Sequence, residues 1–232
     1  MANDESPLAN GRAESRLQRM NQRVADALER LERFMGTVND AYAVPREAGA
    51  FMHALVLATG AKRAVEIGTS YGYSGLWIAS ALTENGGRLI TIDHDSRKSE
   101  AARRAFETAG LSEYVELQTG SAVDVLEGLK GPIDFVLNDA DKENCTRYVD
   151  LVAEKLSDRA IVLTDNTLTH PEQLADFLAW IRGRPDFCSA HVPVGNGMEL
   201  SVRLRSQAVR SCAKQALIHF PPAERMTSNE HL

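Results

Sequence analysis

The twelve residues from Ala64 to Gly75, Ala-Val-Glu-Ile-Gly-Thr-Ser-Tyr-Gly-Tyr-Ser-Gly, constrain this chain more than any other stretch. A short apolar run (Ala64, Val65, Ile67) reads as a buried parallel strand. It breaks at Gly68 into a glycine-spaced loop, and a helical pattern follows through Leu76, Trp77, Ala79 and Leu82. A strand entering such a loop and then a helix is a nucleoside-binding geometry. Glycine lets the backbone pass close to a ligand, and the helix start offers unpaired N–H groups. The spacing is Glu66-x-Gly68-x-x-x-Gly72, whereas the dinucleotide fingerprint is Gly-x-Gly-x-x-Gly. Glu66 on the strand would repel a pyrophosphate and suits a ligand carrying positive charge.

The rest of the chain fits around that unit. Arg12 to Val38 has an amphipathic helical period (Leu17, Met20, Val24, Leu28, Leu31, Met35), and Arg46–Thr59 reads as a second helix closed by Gly60. Strand and helix signals then alternate. Strands are expected at Val65–Ile67, Arg88–Ile92, Val115–Leu117, Ile133–Leu137 and Ala160–Leu163. The intervening helices are expected at Ser74–Leu82, Ser96–Ala109, Ala122–Leu129, Glu143–Leu156 and Pro171–Arg182. Such alternation means βαβ units, a parallel sheet and helices on both faces. Phe187–Val192 and Glu199–Leu204 flank Gly195-Asn196-Gly197, which predicts an antiparallel hairpin at the end of the sheet. Residues 1–11 are polar and are expected to be disordered. Residues 12–205 form one domain, and 206–232 read as an extension, partly helical or disordered.

Composition narrows the partners. A net charge of −6 without a basic block argues against nucleic acid. The most apolar stretch, Ala48 to Ala61, is too short to span a bilayer. Three widely spaced cysteines (Cys145, Cys188, Cys212) match neither a disulfide frame nor a zinc pattern. With no secretory leader pattern at the start, the expectation is a cytoplasmic protein.

In open α/β sheets ligands sit outside the C-terminal strand ends. Reading those ends gives Glu66/Gly68, Asp93/His94/Asp95, Ser121/Ala122, Asn138/Asp139 and Asp165/Asn166. Asp93 stands where a carboxylate can accept from ribose hydroxyls, although the same acid serves in NAD-binding folds and as a turn cap. Asp139 and the pair Asp165-Asn166 end neighbouring strands, about 5 Å apart in the hydrogen-bonding direction. Two carboxylates and an amide oxygen make a hard set suited to Mg²⁺, and the absence of His or Cys argues against zinc. Lys142, three residues past Asp139, can reach the same pocket. A nearby divalent cation would disfavour its charged form and leave it able to take a proton.

Two motifs, Glu66-x-Gly68-x-x-x-Gly72 and Asp139-Ala-Asp-Lys142 paired with Asp165-Asn166, resemble those of the class I S-adenosylmethionine-dependent O-methyltransferases, in the metal-dependent caffeoyl-CoA and catechol branch. The resemblance spans roughly Val44 to Leu204. It implies a Rossmann-like class I methyltransferase fold: a mostly parallel seven-stranded sheet with a C-terminal antiparallel hairpin and helices on both faces. Cofactor contacts carried onto this chain fall on Val44, Glu66, Gly68, Tyr71, Gly72, Ser74, Asp93, Ala122, Asp139 and Asp141. The metal ligands fall on Asp139, Asp165 and Asn166, and the catalytic residues on Lys142, as the base, and Asp139. The acceptor implied is a hydroxylated small molecule such as a catechol-like vicinal diol, and the assembly implied is a homodimer. Departures fall at Val44, Asn138, Cys145 and Asp158-Arg159, none of them a presumed ligand. Three rivals stay open at this point: a nicotinamide-dependent oxidoreductase, a metal-independent methyltransferase, and an S-adenosylmethionine-binding module without turnover.

Overall fold

The computed structural model describes residues 7–204, with side chains from Asn21 onward. Two helices come first, α1 (Pro7–Met35) and α2 (Arg46–Thr59). The alternating part runs β1 (Arg63–Ile67), α3 (Tyr73–Asn85), β2 (Arg88–Asp93), α4 (Ser96–Ala109), β3 (Val115–Thr119), α5 (Ala122–Gly128) and β4 (Ile133–Asn138). It continues through α6 (Cys145–Ala153), β5 (Leu156–Asp165) and α7 (Pro171–Gly183), and ends in the hairpin β6 (Phe187–Val192) and β7 (Met198–Arg203). The strand order is β3-β2-β1-β4-β5-β7-β6, parallel except for β7, which runs antiparallel to both neighbours. Among the described residues no helix is long and apolar enough to cross a membrane.

Alternation along the strands sends side chains to two separate cores. Ala64, Leu89, Phe135, Leu137, Ile161 and Leu163 pack under α1 to α4. Val65, Ile67, Ile90, Ile92, Val136 and Val162 pack under α5, α6 and α7. The strand order reverses between β1 and β4, so their C-terminal ends open a crevice at the switch point.

Some boundaries differ from expectation. The first helix begins at Pro7, inside the stretch expected to be disordered; proline suits a first helical position, where no N–H is needed. Residues 1–6 and the expected extension at 206–232 lie outside the described residues. Helix α6 stops at Ala153 instead of Leu156, because Leu156 already pairs with Ile133 as β5 begins. Arg159, one of the departures from the family pattern, takes a left-handed conformation (φ 66°) at the irregularity in that pairing.

Candidate active site

A cavity of about 890 Å³ lies over the C-terminal ends of β1, β2, β4 and β5. Its floor is the glycine loop. Gly68 has φ 100°, and a Cβ there would stand 2.3 Å from the carbonyl oxygen of Asp139. Only glycine lets the loops after β1 and β4 meet this closely. Gly72 also has positive φ (88°), but its bare Cα faces Ala102 and Phe106 of α4, so it serves packing.

Glu66 does not face the cavity. It is fully buried, accepting from Ser74 Oγ at Oε1 (2.5 Å) and from Thr91 Oγ1 at Oε2 (2.5 Å). Burial pushes its carboxyl up to about 7, against those two hydrogen bonds, with the charges of Asp139 and Asp93 adding to the rise. Glu66 and Ser74 therefore brace the loop against β2 and the start of α3 and make no wall of the cavity.

Asp93 does line it, with both oxygens engaged at the rim: Oδ2 accepts from Ser70 N (2.7 Å) and Oδ1 from Asp95 N (2.8 Å). A carboxylate has about four acceptor positions, so these bonds fix its orientation and leave lone pairs for a ligand hydroxyl. Ser121 caps α5 through Asp124 N, which sets Ala122 on the wall beside it.

The opposite wall is charged. Asp139, Asp141, Lys142, Asp165 and Asn166 all line the cavity. Lys142 Nζ donates to Asp139 Oδ1 (3.1 Å) and to the carbonyl of Ala140 (3.0 Å), and both members of the ion pair are 12% exposed. The Asp139 carboxyl is pushed up to about 7, chiefly by burial; Lys142 opposes the rise and the Asp165 charge adds to it. Asp165 is raised for the same first reason, and its Oδ1 is buried without a hydrogen-bond partner among the described residues. Asn166 sits at φ 72° and turns its amide nitrogen to Thr169 Oγ1 (3.2 Å). Among the described residues no group of three or more His, Cys, Asp or Glu side chains is arranged to hold a metal ion.

Of the residues expected at the site, Gly68, Asp93, Ala122, Asp139, Asp141, Lys142, Asp165 and Asn166 share one cavity, whereas Val44, Glu66, Tyr71, Gly72 and Ser74 stand behind it. Val44 is buried in the core, and its neighbours Ala41, Tyr42 and Ala43 form the wall instead. Tyr71 donates from its hydroxyl to Asp40 and accepts from Arg97, away from the cavity. Ser70, Lys98, Arg147, Tyr148 and Asn196 are additions that the motifs do not point to, and all five line it. The signal for Tyr148 is masked: with Cys145, Val149 and Val152 it forms a buried helix stripe, which reads as packing and conceals its hydroxyl.

A mostly parallel seven-stranded sheet with a C-terminal antiparallel hairpin, opening at its switch point onto a glycine loop and a strand-end acid, is the Rossmann-like class I methyltransferase fold. The profile of the family described as O-methyltransferase matches residues 21–176, and the chain belongs to that family. A catechol O-methyltransferase from Niastella koreensis is 35% identical over 132 residues, covering 55% of this chain and 59% of its own length. A catechol O-methyltransferase from Mycobacterium tuberculosis is 35% identical over 127 residues, covering 54% and 57%. The matched region thus spans less than two thirds of either relative. The O-methyltransferase from Bacillus cereus, solved in complex with SAH, superposes with a TM-score of 0.71 at 28% identity, covering 77% of this chain and 90% of that one.

Proposed function

We propose that this chain transfers the methyl group of S-adenosylmethionine to a hydroxyl of a small molecule bearing adjacent hydroxyls on an aromatic ring, with a divalent cation such as Mg²⁺ at the acceptor. The observation that carries the reading is the meeting of Asp139, Asp165 and Lys142 in the cavity that Gly68 and Asp93 also line. The catechol O-methyltransferases among its relatives supply the acceptor class. A cavity of about 890 Å³ is at the upper end of ligand sites and has room for a nucleoside and a second small molecule.

The donor set fits a hard cation. Two nearly buried carboxylates line the same wall, both pushed up chiefly by burial, the Asp165 charge adding to the rise of Asp139, and one oxygen, Asp165 Oδ1, has no partner among the described residues. Such a pair calls for more positive charge than one ammonium supplies. Asp139, Asp165 and the Asn166 amide oxygen would hold the ion, which when bound acts as a Lewis acid that eases deprotonation of an acceptor hydroxyl. Lys142 would then leave Asp139, give up one ammonium proton to solvent, and as the neutral amine take the acceptor's proton at Nζ. The acceptor oxygen forms its bond to the methyl carbon as the carbon–sulfur bond breaks, and that electron pair stays on sulfur. Asp93 orients the nucleoside, and the loops after β4 and β5 hold the acceptor in line.

Replacing Asp165 by Ala tests this. Turnover of a catechol with Mg²⁺ should fall by about a thousandfold or more, while S-adenosylhomocysteine binding by calorimetry stays within about twofold. Full turnover in that variant after chelation would favour the metal-independent reading. We also carry forward a homodimer; sedimentation at micromolar concentration showing only a 25 kDa species would reject it.

A further inference from the structure

We infer that Tyr148 is a positioning residue for this reaction: through Asp141 it fixes the turn from which Lys142 and Asp139 project. The inference rests on the proposal that Lys142 takes the acceptor's proton.

Residues 139–144 join β4 to α6 and carry both groups. At its start the turn is held by backbone: Asp139 N donates to Ile67 O (3.0 Å), and the Asp139 carbonyl lies in the space left by the missing Cβ of Gly68. At its other end it is held by Asp141. Oδ1 of Asp141 accepts from Asn144 N (3.0 Å) and Asn144 Nδ2 (2.6 Å), while Oδ2 accepts from the Tyr148 hydroxyl at 2.5 Å. Among the described residues the hydrogen bonds of this carboxylate are thus all internal to the turn and the start of α6. Tyr148 is 6% exposed and belongs to the second core, so its hydroxyl is a fixed point and the turn is what adjusts to it.

Lys142 lies between these two anchors. Both partners of its ammonium, Asp139 Oδ1 and Ala140 O, belong to the same turn, so a shift of the turn moves base and partner together. The proposed proton transfer asks for the opposite: a still backbone from which the side chain alone departs. Without the Tyr148 hydroxyl, Asp141 Oδ2 loses its protein partner and the carboxylate can turn to water, releasing the end of the turn nearest Lys142. Displacements of about 1 Å at a reacting group cost large factors in rate with little effect on binding. Asp141 thereby acts as a link in the scaffold, in addition to any contact it makes with a ligand.

The test is a double-mutant cycle on the full chain with S-adenosylmethionine, Mg²⁺ and catechol. Tyr148→Phe should lower kcat about tenfold and leave KM for both substrates within about twofold. In a Lys142→Ala background, followed by single turnover, the same change should cost nothing further, because the group it positions is gone. Amide hydrogen exchange of the protein without added metal should show faster exchange in 139–145 of the Phe variant, with the remaining core unchanged. A wild-type kcat in Tyr148→Phe, losses that multiply across the cycle, or unaltered exchange in 139–145 each overturn the inference. Should Tyr148→Phe not fold, Asp141→Asn, which keeps one acceptor oxygen, goes through the same cycle, and the same results support or overturn the inference. If Lys142→Ala alone turns over at the wild-type rate, the proton-transfer proposal fails first, a result distinct from any of these.

Discussion

Each half of the cavity wall is built around a buried acid with a raised pKa, and the two halves treat that acid differently. On the β1–β2 side, Glu66 has both oxygens on neutral hydroxyls and Asp93 has both on backbone N–H groups. On that side Glu66 is satisfied by its own chain and Asp93 is fixed in orientation, with lone pairs left for a ligand hydroxyl. On the β4–β5 side, Asp139 leans on an ammonium, while Asp165 Oδ1 and neighbouring Asn138 Oδ1 are buried without partners among the described residues. Groups satisfied by their own chain make a rigid seat, and groups left short of positive charge are prepared for one that arrives from outside.

The halves touch at Gly68, so the largest effect is expected there. In Gly68→Ala the new methyl would lie 2.3 Å from the Asp139 carbonyl oxygen, on backbone with φ 100°. Neither neighbour is a flexible side-chain end, so the loops must part. Urea unfolding should show a loss of about 3 kcal/mol or more, and cofactor binding and turnover should fall together. A fully stable Ala variant would mean that the two halves are not coupled through this contact.

Next in size is a pH effect that separates the two acids. Glu66 moves from 4.5 to about 7 on folding, so between those values the folded chain keeps a proton that the unfolded chain has lost. Its contribution is fully present below pH 4.5, falls as pH rises and is gone above 7, about 3 kcal/mol in all. Asp139, raised from 3.8 to about 7, adds a slope of the same sign. Without ligands, the protein should therefore lose stability from about pH 4 to about pH 7, and Glu66→Gln should remove the Glu66 part of that loss. An unchanged slope in the Gln variant would show that the hydroxyls of Ser74 and Thr91 already stabilise the charged form.

The two halves also differ in how far they can be read from sequence. The strands, the helices and their alternation follow from apolar periodicity, and the strand-end acids Asp93, Asp139 and Asp165 follow from where that periodicity stops. The side-chain contacts behind the wall do not. Glu66 and Ser74 share a loop motif with Gly68, but the motif does not say which of its members face the ligand and which hold the loop from below; burial decides that. Tyr71 looks like part of the same motif and is instead tied to Asp40, 31 residues away. Tyr148 shows the converse. Its helical phase is legible and correct, but a phase describes a face, and the partner of a hydroxyl at the edge of that face depends on where the preceding turn lies.

The smallest effect concerns the segment 36–45, whose residues Ala41 to Ala43 close the β2 side of the cavity. Asp40 tethers it. The carboxylate accepts from Tyr71 Oη (2.8 Å) and Arg97 Nη2 (2.5 Å), and its carbonyl from Lys98 Nζ (2.7 Å). Arg97 and Tyr71 hold the Asp40 carboxyl below its usual range, so the tether is charged throughout the neutral region. It is also exposed, and exposed pairs contribute little to global stability and are screened by salt. Asp40→Asn should leave the unfolding midpoint essentially unchanged while the dissociation rate of S-adenosylhomocysteine rises about threefold, as it should for the wild type in high salt. If dissociation is indifferent to both changes, the segment does not gate the cofactor, and the β1–β2 side retains its ligand through the loop and Asp93 alone.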